Sequence, residues 1–144
     1  MLIPRDIAPA LVVETLSGAP YDLSLEKPAR FSLVCFYRGL RACAANVSKD
    51  RCRKLRIGYG LKLPEARKWG LYISASRGES SIGIVEPPLF SEPGVFLLRP
   101  DQSIYYISVQ SMPFVRPNFQ EVVQALDFII STDYPARGEY IGAV

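Results

Sequence analysis

The chain has 144 residues, of which 49% are hydrophobic and 22% charged, and it carries a net charge of +3. This balance is typical of a folded domain and argues against disorder, and so mild a charge does not by itself indicate a nucleic-acid partner. Histidine is absent, which excludes Ser-His-Asp and Cys-His catalysis and histidine-ligated metals. The longest largely apolar run, Phe31–Tyr37, has seven residues including one serine, whereas a bilayer-spanning helix needs ~20. No signal-like segment opens the chain, so we expect one cytoplasmic domain over residues 1–144.

The N-terminal part is predicted to form a β-hairpin followed by a buried strand. Leu11–Leu16 and Tyr21–Leu23 are strand-like runs on either side of the turn-forming segment Ser17–Pro20. The next run, Phe31–Tyr37, has no charge and no turn-forming residue, which predicts a central strand buried on both faces. Within it, Cys35 is expected to pack in the core as a small hydrophobe. Ligands bind beyond the C-terminal ends of such strands in α/β sheets, so chemistry is expected after this strand.

The stretch after the strand is basic and holds the other two cysteines, Cys43 and Cys52. Seven Lys and Arg residues and a single acid lie from Arg38 to Arg56, which indicates either a solvated loop or a patch that stabilises an anion or a thiolate. The chain has three cysteines and no Cys-x-x-Cys pair, so neither a zinc motif nor a disulfide framework is predicted. Ser48 is a candidate N-cap for a short helix that runs to residue 54. Nucleic-acid binding is not predicted, because few aromatic residues lie among these charges and no known module matches.

Shorter elements are predicted in the middle of the chain. Leu55–Gly60 is expected to be a loop or short strand, and Pro64–Trp69 a short helix ended by Gly70. The last residue of that helix, the only tryptophan, is expected in the core. Leu71–Ile73 is predicted as a brief strand. Ser74–Pro93 is rich in Gly, Pro and Ser, which predicts a long ordered loop of the kind that often serves as a lid.

A hairpin and a helix are predicted in the C-terminal part. Val95–Leu98 and Ile104–Val109 form the hairpin around Pro100, which suits the second position of a type I turn. Gln102 in the same turn favours type I over a turn that needs a positive φ.

The helix that follows is predicted to end near residue 131. Asn118, with Glu121 three residues later, is a candidate N-cap pair. Apolar residues recur along one face of this helix, namely Phe119, Val122, Val123, Leu126, Ile129 and Ile130.

Several segments together carry a family resemblance. They are Val34–Leu40 (VCFYRGL), Leu55–Leu61 (LRIGYGL), Trp69–Tyr72 (WGLY), Ser91–Asp101 (SEPGVFLLRPD), Tyr106–Phe114 (YISVQSMPF) and Asp133–Gly138 (DYPARG). In these the chain resembles the peroxiredoxin-like proteins of the alkyl hydroperoxide reductase / thiol-specific antioxidant family. In that family the Phe-Tyr-Arg-Gly strand runs into His-Cys-Pro-x-Cys at the start of a helix, and the first cysteine, as thiolate, attacks the peroxide oxygen.

The resemblance implies a thioredoxin-like α/β fold, here truncated. That fold has a central mixed sheet, an N-terminal β-hairpin, a C-terminal β-hairpin and a C-terminal amphipathic helix. The implied activity is that of a thiol-dependent peroxidase or thiol-disulfide oxidoreductase. Such an enzyme takes a peroxide or disulfide substrate and electrons from an external thiol, and it needs no bound cofactor and no metal.

The chain departs from the family where the nucleophile is expected. Arg41–Ala44 stands in place of His-Cys-Pro-x-Cys. The eighteen residues between Tyr37 and Arg56 are too few for a strand-helix-strand crossover, which takes roughly 30 residues or more with its strands. In one alignment Cys43 is the nucleophile, displaced by one residue to a helix start where the helix dipole and neighbouring arginines favour the thiolate. In the other, the nucleophile helix is lost, Cys43–Ser48 ends the family's next strand, and the thiol is structural.

The resemblance implies a set of site residues with separate roles: a thiol nucleophile, two cations that stabilise charge and a hydrogen-bond donor. They are Cys43, then Arg38 and Arg116, and Tyr37. Cys52 lies between two arginines and is a candidate resolving or redox-sensing thiol, with an incidental surface cysteine as the alternative. Pro93 resembles the cis proline that faces the active cysteine in thioredoxin folds, with an ordinary trans proline as the alternative.

The alternative function is that of a catalytically inactive relative, which keeps the scaffold and serves as an interaction or structural module. In the family's sheet, the lost strand would pair with Phe31–Tyr37. Its loss leaves an apolar edge strand, and such an edge recruits a partner. We therefore expect a homo-oligomer formed through this edge, with no nucleic-acid partner and no membrane partner.

Overall fold

The computed structural model describes residues 1–37, 56–79, 83, 85–112 and 118–144. These residues form a mixed α/β structure of small antiparallel sheets and two helices. The helices are α1 (Leu63–Lys68) and α2 (Phe119–Thr132), and a 3₁₀ turn covers Leu23–Leu25. The strands are β1 (Val12–Thr15), β2 (Tyr21–Asp22), β3 (Ser32–Phe36), β4 (Gly58–Tyr59), β5 (Ile73–Ala75), β6 (Leu89–Ser91), β7 (Gly94–Leu98) and β8 (Ile104–Val109).

The sheet β3-β7-β8 joins the predicted apolar strand to the C-terminal hairpin. β3 runs antiparallel to β7, with Phe36 opposite Gly94 and Ser32 opposite Leu98, and β7 pairs antiparallel with β8. All strand pairings between the described residues are antiparallel, so the mixed sheet that we expected is not found in them. A parallel pairing needs a crossover connection. The stretch that would supply it, residues 38–55, lies outside the described residues, and so does the helix predicted from Ser48.

The predicted N-terminal hairpin is confirmed. Val12 lies opposite Asp22 and Val13 opposite Tyr21. The other half of β1 pairs with β4, where Glu14 lies opposite Tyr59. The segment that was predicted to be a loop or a short strand, Leu55–Gly60, therefore contributes the short strand β4 to this sheet.

One face of the sheet β3-β7-β8 closes on an aromatic core. The rings of Phe36 and Phe96 lie 5.7 Å apart, and both contact Trp69, at 5.0 and 4.8 Å between centroids. Trp69 is fully buried, which confirms its predicted place in the core. A Cβ atom on Gly94 would lie 2.5 Å from Cδ2 of Leu71, so a larger residue here would force the core side chain of Leu71 to move.

The helix that ends directly before Trp69, α1, has bounds within one residue of those predicted. α1 begins one residue before Pro64, and Glu65 accepts a hydrogen bond at 3.1 Å from the backbone N–H of Lys62, the N-cap residue. Gly70 has φ of +72°, the left-handed conformation expected of a residue just beyond a helix end.

The segment after α1 differs from the prediction. The brief strand expected at Leu71–Ile73 begins two residues later, at Ile73, and it pairs with β6 inside the stretch that was predicted to be a loop. β6 has three residues, and Pro88 and Pro93 flank it closely. A run so short, set among prolines, gives no alternation of polar and apolar residues from which a strand could be predicted.

The turn between β7 and β8 is of type I, as predicted, and a residue with positive φ follows it. The N–H of Gln102 donates to the carbonyl of Arg99 at 2.9 Å. Asp101 is not among the described residues with positive φ, which fits type I and excludes type II. Gln102 itself has φ of +67°, so the expectation that this segment avoids positive φ is wrong. The reversal needs a left-handed residue after the type I turn, as three-residue hairpin loops do.

α2 packs on the opposite face of the sheet. The carbonyl oxygen of the Asn118 side chain caps the helix by accepting from the N–H of Gln120 at 3.0 Å, and its amide donates to Glu121 at 3.1 Å, so the predicted N-cap pair is confirmed. Leu126 and Ile129 pack against a cluster of Leu97, Tyr105 and Ala136.

The apolar face predicted for this helix is buried only in part. Val122, Leu126 and Ile129 are half-buried, whereas Phe119, Val123 and Ile130 are exposed. In a helix the first three lie at one side of the apolar stripe and the last three at the other. The sheet thus covers one side of the stripe.

β3 is not buried on both faces. Leu33 is 44% exposed, and Cys35 is also exposed, so the prediction that Cys35 is a core residue is wrong. Each of these exposed residues of β3 lies opposite a buried residue of β7: Leu33 opposite Leu97, and Cys35 opposite Val95. Burial therefore falls from the middle of the sheet to its edge. Among the described residues β3 pairs with β7 alone, so it is an edge strand there.

Candidate functional site

A cleft of about 300 Å³ lies between the edge of β3 and the sheet formed by β1, β2 and β4. Its β3 wall is continuous, since every residue from Leu33 to Tyr37 contributes. The facing walls are mostly apolar and include Leu11, Val13, Tyr21, Tyr59 and Leu61. A cavity of this size is at the lower end of those that bind small molecules.

Tyr37 closes one end of the cleft. Its hydroxyl donates a hydrogen bond to the carbonyl of Gly58 at 2.9 Å, which ties the end of β3 to β4. Tyr37 was predicted as a hydrogen-bond donor to substrate. In this arrangement its proton is directed at the backbone, so donation to a substrate would require the bond to Gly58 to open.

Arg56 lines the cleft two residues before β4. Its guanidinium forms an ion pair with both carboxylate oxygens of Glu26 and lies 4.9 Å from the centroid of the Tyr21 ring, a cation–π distance. The hydrogen bond to Glu26 raises the pKa of Arg56, so the group stays cationic. Burial raises the pKa of Tyr21, and Glu26 adds to this effect. The neutral phenol is therefore the form at physiological pH.

Cys35 is one of the residues in the β3 wall of this cleft, and it is exposed to solvent. Phenols and a guanidinium share the same cleft, from Tyr21, Tyr37 and Arg56.

The structure describes two of the predicted site residues. Tyr37 lies in the cleft. The peptide bond before Pro93 is trans, as no cis bond occurs among the described residues, so the cis-proline prediction is wrong and the trans alternative holds. The carbonyl of Pro93 accepts from the N–H of Gln110 at 3.1 Å, which extends the β7-β8 ladder. The predicted residues that lie outside the described part of the chain are Arg38, Cys43, Cys52 and Arg116.

Sequence reasoning missed three residues that the structure places in the cleft. Arg56 was interpreted as the last charge of a basic run, although it lies two residues before β4. Tyr21 was read only as part of a hairpin, and Cys35 as a core residue. For Cys35 a signal existed: an edge position was itself predicted for Phe31–Tyr37, and the faces of a sheet are less well covered at its edge than in its middle.

In the described part of the chain, no group of three or more Cys, Asp or Glu side chains is placed to hold a metal ion. No helix among the described residues has both the length and the apolar character needed to cross a bilayer. A scan against protein-family models matches none of them, and searches of curated proteins and of solved structures return no significant match. The fold and the cleft describe a mixed α/β protein with small antiparallel sheets and a cleft at a sheet edge that has one cysteine residue in its wall.

Proposed function

We propose that this protein is a thiol-dependent oxidoreductase of the peroxiredoxin-like kind, which reduces a peroxide or a disulfide at the cleft beside β3. The observation that carries the proposal is a solvent-exposed cysteine residue, Cys35, in the wall of a cleft that is also lined by Arg56 and three tyrosines. A reducing cytoplasm, the predicted location, would supply the thiol that returns the protein to its starting state.

The arrangement of the sheet supports a thioredoxin-like scaffold for this activity. A thioredoxin-like layout requires the apolar strand and the late hairpin to share one sheet, with the C-terminal helix on its face. β3, β7 and β8 share a sheet, and α2 packs on one face of it through Leu126 and Ile129. Three predicted pieces of the layout are therefore assembled as the proposal needs.

The proposed reaction has two stages. A thiolate of the protein attacks one oxygen of the peroxide, the O–O bond breaks, and the departing oxygen takes up a proton and leaves as an alcohol or as water. The protein thiol is thereby oxidised to a sulfenic acid. An external thiol then condenses with the sulfenic acid, releasing water and forming a mixed disulfide. A second external thiol restores the protein thiol and leaves as a disulfide.

The cleft needs one reactive thiol, and two cysteines are candidates. Cys35 lines the cleft. Cys43, the nucleophile implied by the family resemblance, belongs to the stretch between Tyr37 and Arg56, and both of these flanking residues line the cleft. The proposal assigns the chemistry to one of these two thiols and leaves Cys52 with an accessory redox role.

Peroxide consumption with an excess of external thiol tests the proposal on Cys35→Ser, Cys43→Ser, the double variant and, as matched control, Cys52→Ser. We expect one single variant and the double variant to lose at least about 100-fold in rate, because the sulfur that attacks the peroxide is removed. The Cys52→Ser variant is expected to retain turnover. Full activity of the double variant, or a wild-type rate no higher than that of a free thiol, would overturn the proposal.

The second candidate function, a non-catalytic interaction module, is favoured by β3 itself. β3 is an edge strand among the described residues, and Leu33 on it is exposed, as expected for a strand that recruits a partner. We propose that copies of the chain associate through this edge. Sedimentation of a stable monomer at micromolar concentration would refute the association, and a protein thiol of ordinary reactivity would favour the module over the enzyme.

A further inference from the structure

We propose that the cavity between α2 and the sheet β3-β7-β8 is a binding site for small aromatic amines, and that Glu121 pairs with their ammonium group. The cavity and the cleft beside β3 have no lining residue in common among the described residues. The two sites are therefore separate, and this one does not depend on thiol chemistry.

The floor of the cavity is apolar and fixed. It is formed by Leu97 on β7 and Tyr105 on β8, both of which are buried. The hydroxyl of Tyr105 donates to the carbonyl of Tyr134 at 2.9 Å, and the ring of Phe31 packs edge-on against it at 5.3 Å between centroids. Because this ring is already held in place, a ligand does not have to order it on binding.

One side of α2 forms the facing wall. The residues that line it recur at spacings of three and four, which places them together along the helix, and they include Glu121, Val122, Ala125 and Ile129. Ala125 is exposed although it lies on the side that faces the sheet. Its methyl group leaves a space that a larger side chain would fill, and the cavity measures about 260 Å³. A cavity of roughly 150 Å³ is enough for benzene.

Glu121 supplies a negative charge at this cavity and is the one charged residue among the described residues that line it. The side-chain amide of Asn118 donates to Oε1 of Glu121 at 3.1 Å, which orients the carboxylate and leaves Oε2 for a ligand. The ion pairs found among the described residues involve other acids, Glu26 and Glu139. The charge of Glu121 is therefore not neutralised by a cation of that part of the chain.

The surroundings of Glu121 also favour a cation. Residues 118–133 carry three acids and no Lys or Arg, so the local field along α2 attracts positive charge although the whole chain has a net charge of +3. Arg99 lies 5.1 Å from the centroid of the Tyr105 ring but does not line the cavity. The ammonium group is accordingly assigned to the Glu121 end of the cavity.

These features together specify the ligand. An apolar floor with a tyrosine ring suits a flat aromatic body, which gains both buried area and ring contacts. A carboxylate beside that floor suits an ammonium group on a short arm, through a charge-assisted hydrogen bond. A carboxylate on the same arm would be repelled by Glu121.

Three compounds with the same ring and different charge test the inference: 2-phenylethylamine, 2-phenylethanol and phenylacetate. Each is titrated into the full chain at pH 7, and binding is followed by the backbone amide shifts in ¹H–¹⁵N NMR spectra. We expect the amine to bind with a Kd of roughly 1–10 mM, as for a ligand of about nine non-hydrogen atoms. The alcohol should bind about 2- to 5-fold more weakly, as for one exposed charge pair, and phenylacetate most weakly. The largest shifts are expected at residues 97, 105, 122 and 125.

Two variants with matched controls separate the cavity from general effects. Ala125→Leu should fill the cavity and weaken binding of all three compounds at least about 5-fold. Gln124→Leu makes the same kind of change at the neighbouring exposed position, outside the cavity, and should bind as the wild type does. Glu121→Gln should remove the preference for the amine over the alcohol. Asp127→Asn removes an acid from the same helix outside the cavity and should keep that preference.

The result that supports the inference is loss of binding in Ala125→Leu but not in Gln124→Leu, together with loss of the amine preference in Glu121→Gln but not in Asp127→Asn. Full affinity in Ala125→Leu, equal binding of the three compounds to the wild type, or shifts confined to other parts of the chain would overturn it. Peroxide turnover needs no residue of this cavity, so these results and the test of the proposed function are independent.

Discussion

On one face of the sheet β3-β7-β8, Phe36 and Phe96 pack with Trp69 into a closed aromatic core. On the other face α2 lies over the sheet, but none of its residues is fully buried, and a cavity of about 260 Å³ remains between the helix and the sheet. Both faces are apolar in sequence. The first face therefore supplies most of the stability, and the second is loosely covered.

The largest expected effect is on the closed face. Trp69→Ala should lower the free energy of unfolding by about 3–5 kcal/mol, because it removes a fully buried indole between two rings. Trp69→Phe should cost less, since the buried Nε1 of Trp69 has no hydrogen-bond partner among the described residues. Chemical unfolding followed by circular dichroism measures both. Equal losses for the two variants would contradict the packing described for this core.

Two leucines that lie opposite each other sharpen the comparison between the middle of the sheet and its edge. Leu97→Ala should cost about 2–5 kcal/mol, and Leu33→Ala less than about 1 kcal/mol. The pair is matched in residue type and strand register, and differs in exposure, 3% against 44%. Unfolding curves for the two variants make the measurement. Similar losses would show that the edge strand is covered by a partner in solution.

The N-cap of α2 tests how much this helix contributes. Asn118→Ala should destabilise the protein by about 1 kcal/mol, because the N–H of Gln120 loses its acceptor. Asn118→Asp, which keeps an acceptor oxygen, serves as control and should stay close to wild type. A loss of several kcal/mol in the alanine variant would mean that α2 is held more tightly than its exposure indicates.

The exposed side of α2 should tolerate change. Val123→Thr replaces an exposed apolar residue with a polar one of the same shape, and the free energy of unfolding should stay within about 0.5 kcal/mol of wild type. The matched change at Val95, which is buried in β7, should be clearly destabilising. Thermal unfolding of both proteins provides the test, and a destabilised Val123 variant would contradict the loose cover of this face.

The turn between β7 and β8 belongs to neither face, and changes in it are expected to have the smallest effect on the free energy of unfolding. The side-chain hydroxyl and the N–H of Ser103 donate to Asp101 and lower the pKa of its carboxyl. A lowered folded-state pKa means that this stability is present above the unfolded-state value, about 3.9, and is lost as the pH falls through the folded-state value. Unfolding of wild type and Asp101→Asn should therefore differ at pH 7 and converge near pH 2. A difference that grows in acid would contradict this sign.

Where local chemistry decides an element, the sequence predicts it. Asn118 with Glu121, Gly70 after the short helix and Pro100 in the late turn each specify a conformation through their own bonds or φ angle. The two hairpins follow from apolar runs around turn formers. These elements therefore agree with the structure.

Elements that depend on distant neighbours were predicted less well. β3 is apolar throughout, yet Leu33 and Cys35 are exposed because α2 covers the middle of the sheet rather than its edge. β6 is too short to show a pattern. The cleft itself joins β3 to a sheet built from the N-terminal hairpin and β4, and no local signal reports that the two edges face each other.

The most direct test of the central claim, thiol chemistry at the cleft beside β3, is to locate the oxidised cysteine. The protein is treated with one equivalent of hydrogen peroxide in the presence of a sulfenic-acid trap, and the modified residue is found by peptide mass spectrometry. The account predicts one label per chain, on Cys35 or Cys43. Labelling of Cys52 alone, or no labelling when free thiols in the same solution react, would contradict it.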